Sequence, residues 1–496
     1  MRNNVSIYSP AYSPPRASET RLDYGLLQRF ALVLGIALVV ISPFSRNTLA
    51  LAAGGFAPWV ILRLIGRPNM PAAAGYYLLW QWLQAFARVI QADVDGETLA
   101  GGMFGPTVEL AYWYTLAGVM VLAVAFRLVL GGTRPPTAEF ATSHYGWNLR
   151  DLCILYAIAL VFAAACGLGA RFVPSLDQPL EAAGHVKILA VSMLFATVLA
   201  TGRGFNVLIG VLLAEVLTGF TGLFADFKGV FIYLAVMALA VRIRWTGFTT
   251  VGAVALGAGL VGLALFWTAV KTDFREYATS SSDSQSIRTS LSNRMGYLGD
   301  KAATAGDIDW NFAAYALLVR LAYTDIFGSV IGVQQFSPEP GYMTQWQDAI
   351  EHVAKPRVLF PDKPGLSDTE VFIRLARGDS SEQLTVGTSI SVGYMAENFV
   401  DLGFPGMLLG IFALGAMVAG ICRYFMSRQL PWLIREGAVL AVLYSIGRDG
   451  VEISLPKLLG AAIMTFAVWA IMAKWGLAPV IRWLGRHANV SRLQAA

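Results

Sequence analysis

Cysteine and histidine are nearly absent from this chain, with three and four residues respectively among 496. Cys153 and Cys166 fall in one apolar run and Cys422 at the end of another, so no disulfide framework is implied. The histidines (His144, His185, His352 and His487) are scattered, and no His, Cys, Asp or Glu set has metal-ligand spacing. Gly202 and Gly204 do not make a nucleotide loop, so neither a metal nor a cofactor is expected. Charge is scarce as well, at 14% of residues, against about 25% in ordinary soluble domains. No cleavable leader is expected either. The first 22 residues are polar and Pro/Ser-rich, read as a disordered tail, and the apolar run after them is long enough to span a membrane.

What the chain has instead is apolar length. Hydrophobic residues make up 56% of it, and the mean hydropathy is +0.57. Runs near the ~20 residues needed to cross a bilayer core recur throughout. They lie near 24–43, 48–66, 72–91, 108–130, 151–170, 185–201, 204–220, 223–241, 248–270, 402–425, 433–449 and 455–475. The fold class expected is therefore an all-α polytopic membrane protein with about twelve transmembrane helices. The run at 72–91 is the least apolar, because it carries Gln81, Gln84 and Arg88.

Loop charges alternate along this series. Arg63, Arg67, Arg127, Arg203, Arg242, Arg244, Arg423, Arg428 and Arg435 flank one set of turns, and Asp93, Asp95, Glu97, Asp177, Glu181 and Glu452 the other. Arg and Lys mark the cytoplasmic side, which predicts both termini in the cytoplasm. The expected organisation is a cytoplasmic tail (1–22), a bundle of nine spans (23–270), an extracytoplasmic loop (271–398), three further spans (399–476) and a second cytoplasmic tail (477–496). The basic balance then reflects topology and contact with anionic membrane lipids, with no nucleic-acid partner implied.

The long loop has its own organisation. Residues 279–292 read as a Ser/Thr-rich surface turn, and 310–331 as one helix lying on or dipping into the outer membrane face, interrupted by Arg320 and Asp325. Gln345 to Lys355 has helical spacing between Pro340 and Pro356, with Asp348 and His352 sharing a face at i, i+4. Ser367 to Glu370 reads as a capping box starting a helix over 369–377 that Gly378 closes. Between these helices lies Lys355-Pro356-Arg357-Val358-Leu359-Phe360-Pro361-Asp362-Lys363-Pro364. Proline fixes φ, so the cations Lys355, Arg357 and Lys363 are held at a set spacing, which suits a lipid-linked phosphate or diphosphate.

The Pro-Arg-x-x-Phe-Pro-Asp-Lys-Pro segment is followed by Gly387-Thr388-Ser389 and by Ala396-Glu397 leading into Leu402-Gly403-Phe404-Pro405-Gly406. This series resembles bacterial oligosaccharide repeat-unit polymerases of the O-antigen polymerase and ligase superfamily. Thr201-Gly202-Arg203-Gly204 and Arg448-Asp449-Gly450 resemble further elements of that superfamily. The resemblance implies a membrane glycosyltransferase of the bacterial inner membrane, making a surface polysaccharide or exopolysaccharide from a polyprenyl-diphosphate-linked donor. A flippase and a chain-length regulator of the same pathway would be its partners. It leaves ligase-type transfer to another acceptor open, and outside enzymes a transporter of lipid-linked sugars.

Such a reaction needs cations on the diphosphate and a base for the acceptor hydroxyl. Arginine grips phosphate bidentately, so Arg357 is the first choice for the diphosphate, with Lys355, Lys363 and Arg448 beside it. His352, oriented by Asp348, is the expected base, and Glu397 its rival.

Overall fold

The computed structural model describes residues 20–67, 69–101, 105–133, 147–220, 226–279, 289–338, 342–357, 359–360, 362–377 and 390–486. Most of the N-terminal tail, most of the Ser/Thr-rich turn, Pro340, Gly378, Gly387-Thr388-Ser389, His144 and His487 lie outside the described residues.

Among the described residues the chain is all-helical, apart from an isolated bridge between Arg21 and Arg244. The helices are α1 (Tyr24–Ile41), α2 (Thr48–Ile65), α3 (Ala72–Asp95), α4 (Pro106–Leu130), α5 (Leu149–Phe172), α6 (Asp177–Gly184), α7 (Val186–Thr201), α8 (Phe205–Gly219), α9 (Lys228–Ala240) and α10 (Gly247–Thr279). They continue as α11 (Leu291–Ala303), α12 (Trp310–Leu321), α13 (Thr324–Phe336), α14 (Thr344–Ala354), α15 (Asp368–Phe372), α16 (Tyr394–Met426), α17 (Trp432–Gly447), α18 (Leu455–Ile471) and α19 (Leu477–Arg486). Local chemistry sets many boundaries. Asp23 and Asp309 accept from the free amides that open α1 and α12. Gly96 and Gly202 adopt the left-handed conformation that ends α3 and α7.

Eight helical stretches among the described residues are long and apolar enough to cross a membrane, or nine with the bent pair α12–α13. Each of the twelve apolar runs overlaps a helix among the described residues, yet the count of twelve is not carried. Helices α8, α9 and α17 have 15, 13 and 16 residues, short of the ~20 of an upright crossing. Helix α3 is long enough but carries Gln81, Gln84, Arg88 and Gln91, all buried against its neighbours.

The centre of the bundle is built from α3, α4, α7, α16 and α17. Helix α16 packs along α4 and breaks at Gly403 (φ 60°) and Phe404, whose ring stacks on Tyr114 at 4.1 Å. The expected single helix over 310–331 is two helices bent by 48°. The break follows from side-chain demands: Tyr323 turns its hydroxyl to the Ser391 carbonyl, and Asp325 reaches Arg88 of α3 at 2.6 Å.

The two ends of the bundle differ in charge. One gathers Arg67 beside Arg127, and Arg423 on the Val129 carbonyl at 3.2 Å. The other gathers the acidic turns with the segments at 344–368 and 448–454.

Arg88 is buried and Asp325 is its only ion-pair partner among the described residues. Removing one member of a buried pair typically costs about 3–5 kcal/mol. Asp325→Ala should lower the melting temperature of the detergent-purified protein markedly, and Asp325→Asn less so. An unchanged melting curve for the alanine variant would mean that the pair does not hold α12–α13 on the bundle.

Candidate functional site

The cationic segment is presented by α14, whose start is fixed from a distance. Met343, preceding the helix, has φ 62° and no capping side chain. Asp401 of α16 supplies the cap instead, accepting from the Gln345 and Trp346 amides at 3.0 and 2.8 Å. The Trp346 indole donates to Asn398 at 3.0 Å. Helix α14 is thus bolted to the first leg of α16, directly before its break.

Beyond α14 the segment folds into tight turns. Leu359 and Phe360 both donate to the Pro356 carbonyl at 3.0 Å, and Lys363 to Phe360 at 3.2 Å. Arg357 is exposed, approaching the Pro364 carbonyl at 3.5 Å with no carboxylate in ion-pair range among the described residues. Lys355 is held by Glu351, one turn back. Lys363 donates to the His352 carbonyl. The Ser367 cap forms as the sequence indicates, and Asp368 binds Ser454 and Lys457 at 3.0 and 2.6 Å. The expected helix over 369–377 runs as α15 and then widens into a π turn over 373–377.

His352 departs from expectation in its surroundings. Asp348 is exposed and makes no hydrogen bond to it among the described residues, so sharing a helix face does not orient the ring. Burial, followed by the charges of Lys363 and Arg357, pulls the imidazole down to about 4. It is neutral at physiological pH and titrates well below the ordinary histidine range.

Glu397 is buried, and its carboxylate accepts from the Leu455 amide, capping α18. It lies inside the bundle, where it serves as a helix cap.

Arg448 opens a turn gripped by α3. The Trp80 indole donates to the Arg448 carbonyl at 3.1 Å. Gln84 donates to the Asp449 carbonyl and Glu452 at 3.1 and 3.0 Å, and accepts from the Val451 amide at 2.8 Å. Gly450 (φ 65°) is required there, since a Cβ would lie 1.8 Å from the Gln84 oxygen. Burial raises the Glu452 carboxyl to about 7 against the opposing charge of Arg320. The Arg448 guanidinium meets Glu181 of α6 at 3.3 Å.

Helix α6 bears on the two arginines unequally, by an ion pair to one and at longer range on the other. Glu181 holds Arg448, and Asp177, one turn earlier, lies in the field of Arg357. Beside this ridge is a cavity of about 430 Å³ lined by Ala163, Cys166, Arg171, Asp177, Leu180 and Glu181 among others. Sequence reasoning places Asp177 and Glu181 in an outer loop and misses the helix they build. Their i, i+4 spacing is the signal that could have found it. It also treats the polar residues of α3 as a weakness of that span, whereas Gln84 positions the Arg448 turn. Glu215 is buried and takes Lys187 and Tyr156, both at 2.7 Å, and the exposed Asp226 accepts from the Tyr444 hydroxyl. Among the described residues no cluster of three or more His, Cys, Asp or Glu could hold a metal ion.

A family model described as a domain of unknown function, DUF8712, matches residues 129–426. The chain belongs to that family. The matched segment includes α5 to α16 and the cationic segment, and leaves Arg448 outside. No curated protein and no solved structure matches the chain.

Two outcomes follow from this geometry. Losing a helix cap costs about 0.5–2 kcal/mol, so Asp401→Ala should loosen α14 and speed tryptic cleavage after Arg357. Lys355 and Lys363 each precede proline, which leaves Arg357 as the informative site. Unchanged cleavage would show that α14 is held by other contacts. Second, the folded state favours neutral His352, so its contribution to stability is complete above 6.5 and is lost as pH falls toward about 4. With the other three histidines replaced by glutamine, the carbethoxylation rate of His352 should stay flat from pH 8 to 5 and fall only below. A midpoint near 6.5 would refute the cationic, desolvated setting.

Proposed function

We propose that this chain polymerises polyprenyl-diphosphate-linked oligosaccharide repeat units at the outer face of a bacterial cytoplasmic membrane. The observation that carries the reading is that Arg448 pairs with Glu181 of α6, while Arg357, exposed and outside ion-pair range of any described carboxylate, still acts electrostatically on Asp177 one turn earlier, at one end of an apolar bundle. In this reading the chain crosses the membrane twelve times with both termini cytoplasmic. The separation of arginine-rich and acid-bearing turns to opposite ends supports that sidedness. Leu359 and Phe360 stand exposed beside the cations, as suits a segment that meets lipid headgroups while its apolar tips enter the interface.

The chemistry follows from the donor. An acceptor hydroxyl oxygen bonds to the anomeric carbon of the donor sugar, and the bond from that carbon to the diphosphate oxygen breaks. The electron pair leaves with polyprenyl diphosphate, and the hydroxyl proton passes to a base. Arg357 and Arg448 would take the charge developing on the leaving group, with Lys355 and Lys363 adding to the local field. His352 is neutral, and a bound diphosphate would offset the Lys363 and Arg357 charges that depress its basicity, which lets it act as the base, while Glu397 is engaged by the Leu455 amide.

Arg357→Ala should lower polymer formation by about 10²–10³-fold, the cost of losing one preorganised donor, with protein level little changed. Arg357→Lys should recover little, because a point charge does not reproduce the guanidinium fork. The measurement is the profile of lipid-linked glycans in cells carrying each variant. Accumulated single repeat units match a lost polymerase. Long lipid-linked polymer would instead indicate ligase-type transfer to another acceptor, and normal polymer would reduce the segment to a lipid-facing patch.

A further inference from the structure

At the opposite end of the bundle, the C-terminal end of α4 gathers guanidiniums from three elements. Arg127 sits in the last turn of α4, and its Nη1 is 3.0 Å from where a Cβ on Gly131 would stand, so the side chain curls over the helix end. Arg423 of α16 reaches the same end, donating to the Val129 carbonyl at 3.2 Å. The turn after α2 is pinned there as well, because Asn69 donates to the Leu130 and Gly131 carbonyls at 3.0 and 3.3 Å. Arg67 belongs to that turn, its carbonyl accepting from Met70 at 3.0 Å. Arg67 and Arg423 are exposed and Arg127 is half-buried. None of the three has an ion pair among the described residues. The acids at this end are committed elsewhere. Asp23 caps α1, Asp151 is buried in the first turn of α5, and Glu436 is buried on the Ala72 amide at 3.0 Å.

Cations at a helix C-terminus offset its dipole, but that amounts to roughly half a charge, and one arginine suffices for it. The other two remain as excess positive charge. Beside them both helices turn apolar side chains outward. Val124 and Leu128 are exposed on the Arg127 side of α4, and Leu409 and Phe412 on the Arg423 side of α16, about three to four turns before the guanidinium. We propose that this arginine triad holds the phosphodiester of an anionic phospholipid, whose acyl chains lie along the outward faces of α4 and α16. Guanidinium forks match pairs of phosphate oxygens, and basic pockets between membrane helices are a recurring setting for such headgroups. A soluble phosphate would satisfy the guanidiniums and leave the apolar faces unused. Neither a donor nor an acceptor glycan is involved.

The test titrates the detergent-purified full chain with phosphatidylglycerol and counts bound lipid by native mass spectrometry. The first phosphatidylglycerol should bind roughly tenfold or more tightly than phosphatidylcholine of the same chains, and inorganic phosphate should not displace it. Arg127→Gln and Arg423→Gln should each weaken that first binding about fivefold, the worth of one arginine close to an anionic headgroup. The double variant Arg482→Gln/Arg486→Gln removes two exposed cations of α19 and should leave it unchanged. Three results would overturn the proposal. Equal weakening by the α19 double variant would mean a diffuse basic surface, and displacement by inorganic phosphate would mean a site for a soluble anion. Wild-type affinity in Arg127→Gln/Arg423→Gln would mean that the triad only neutralises the helix end. Arg423 also bonds the Val129 carbonyl, so a variant lacking it could lose the native fold. In that case Arg67→Gln carries the same expectation, because the Arg67 side chain makes no hydrogen bond among the described residues. No polymer is read, so this result and the polymer assay of Arg357→Ala stand or fall separately.

Discussion

Gln84 spends its whole amide on the turn that carries Arg448, and much of the site depends on that bond set. Its nitrogen serves the Asp449 carbonyl and Glu452, and its oxygen takes the Val451 amide. The constraint behind it is general: a backbone turn away from water must find partners for its polar groups or lose several kcal/mol each. Helix α3 meets that demand along one face. Gln81 takes the Tyr394 hydroxyl, Gln84 the 448–452 turn and Arg88 the α13 carboxylate. One polar stripe on an otherwise apolar helix thus fixes the first turn of α16, the Arg448 turn and the bent pair. The same residues that weaken α3 as a lipid-facing span make it the interior post of the bundle.

A second set of bonds transmits position from the bundle to the exposed segment. Asp401 caps α14, Glu397 caps α18, and Asp368 at the start of α15 clasps Lys457 on α18. In each case a carboxylate serves backbone amides or a cation on an element distant in sequence. Charge at a helix start is favoured by the exposed amides and the helix dipole, so each contact fixes direction as well as place. The break at Gly403 follows Asp401 directly. The anchoring leg of α16 is accordingly a short element with its own orientation, separate from the long leg packed along α4.

Legibility in the sequence divides along the range of the interactions. Apolar length gives the helices, and local chemistry gives the Ser367 cap and the span of α14, because those signals lie within a few residues. Long-range capping does not register in this way. Glu397 at the start of a helix looks like a free carboxyl, and only the fold brings it to Leu455, 58 positions away. The expected pairing of Asp348 with His352 does not form among the described residues, because i, i+4 spacing puts two groups on one face without making them meet. Asp348 faces outward, while the neighbours that matter to the imidazole, Lys363 and Arg357, come from beyond the helix end. Helix α6 escapes sequence reading for a different reason: its eight residues include Asp177, Gln178, Pro179 and Glu181, so no apolar run marks it.

The carboxylates of α6 bear on how a diphosphate site could turn over. Arginines facing only a diphosphate would bind donor and leaving group alike, and such uniform binding lowers the Michaelis constant without speeding the chemical step. Glu181 gives Arg448 a resident anion at 3.3 Å, and Asp177 sets another in the field of Arg357. Under the proposed reading, an incoming diphosphate competes with Glu181 for Arg448. Glu181 keeps the Arg448 guanidinium oriented when no ligand is bound, and it offers an exchange partner when a product leaves. The advantage of the diphosphate over a carboxylate is greatest when its bridging oxygen gains charge during bond cleavage. A resident anion stabilises the unliganded site, so it weakens binding of ground state, transition state and product alike; under the proposed reading, its use is to speed release of the lipid carrier.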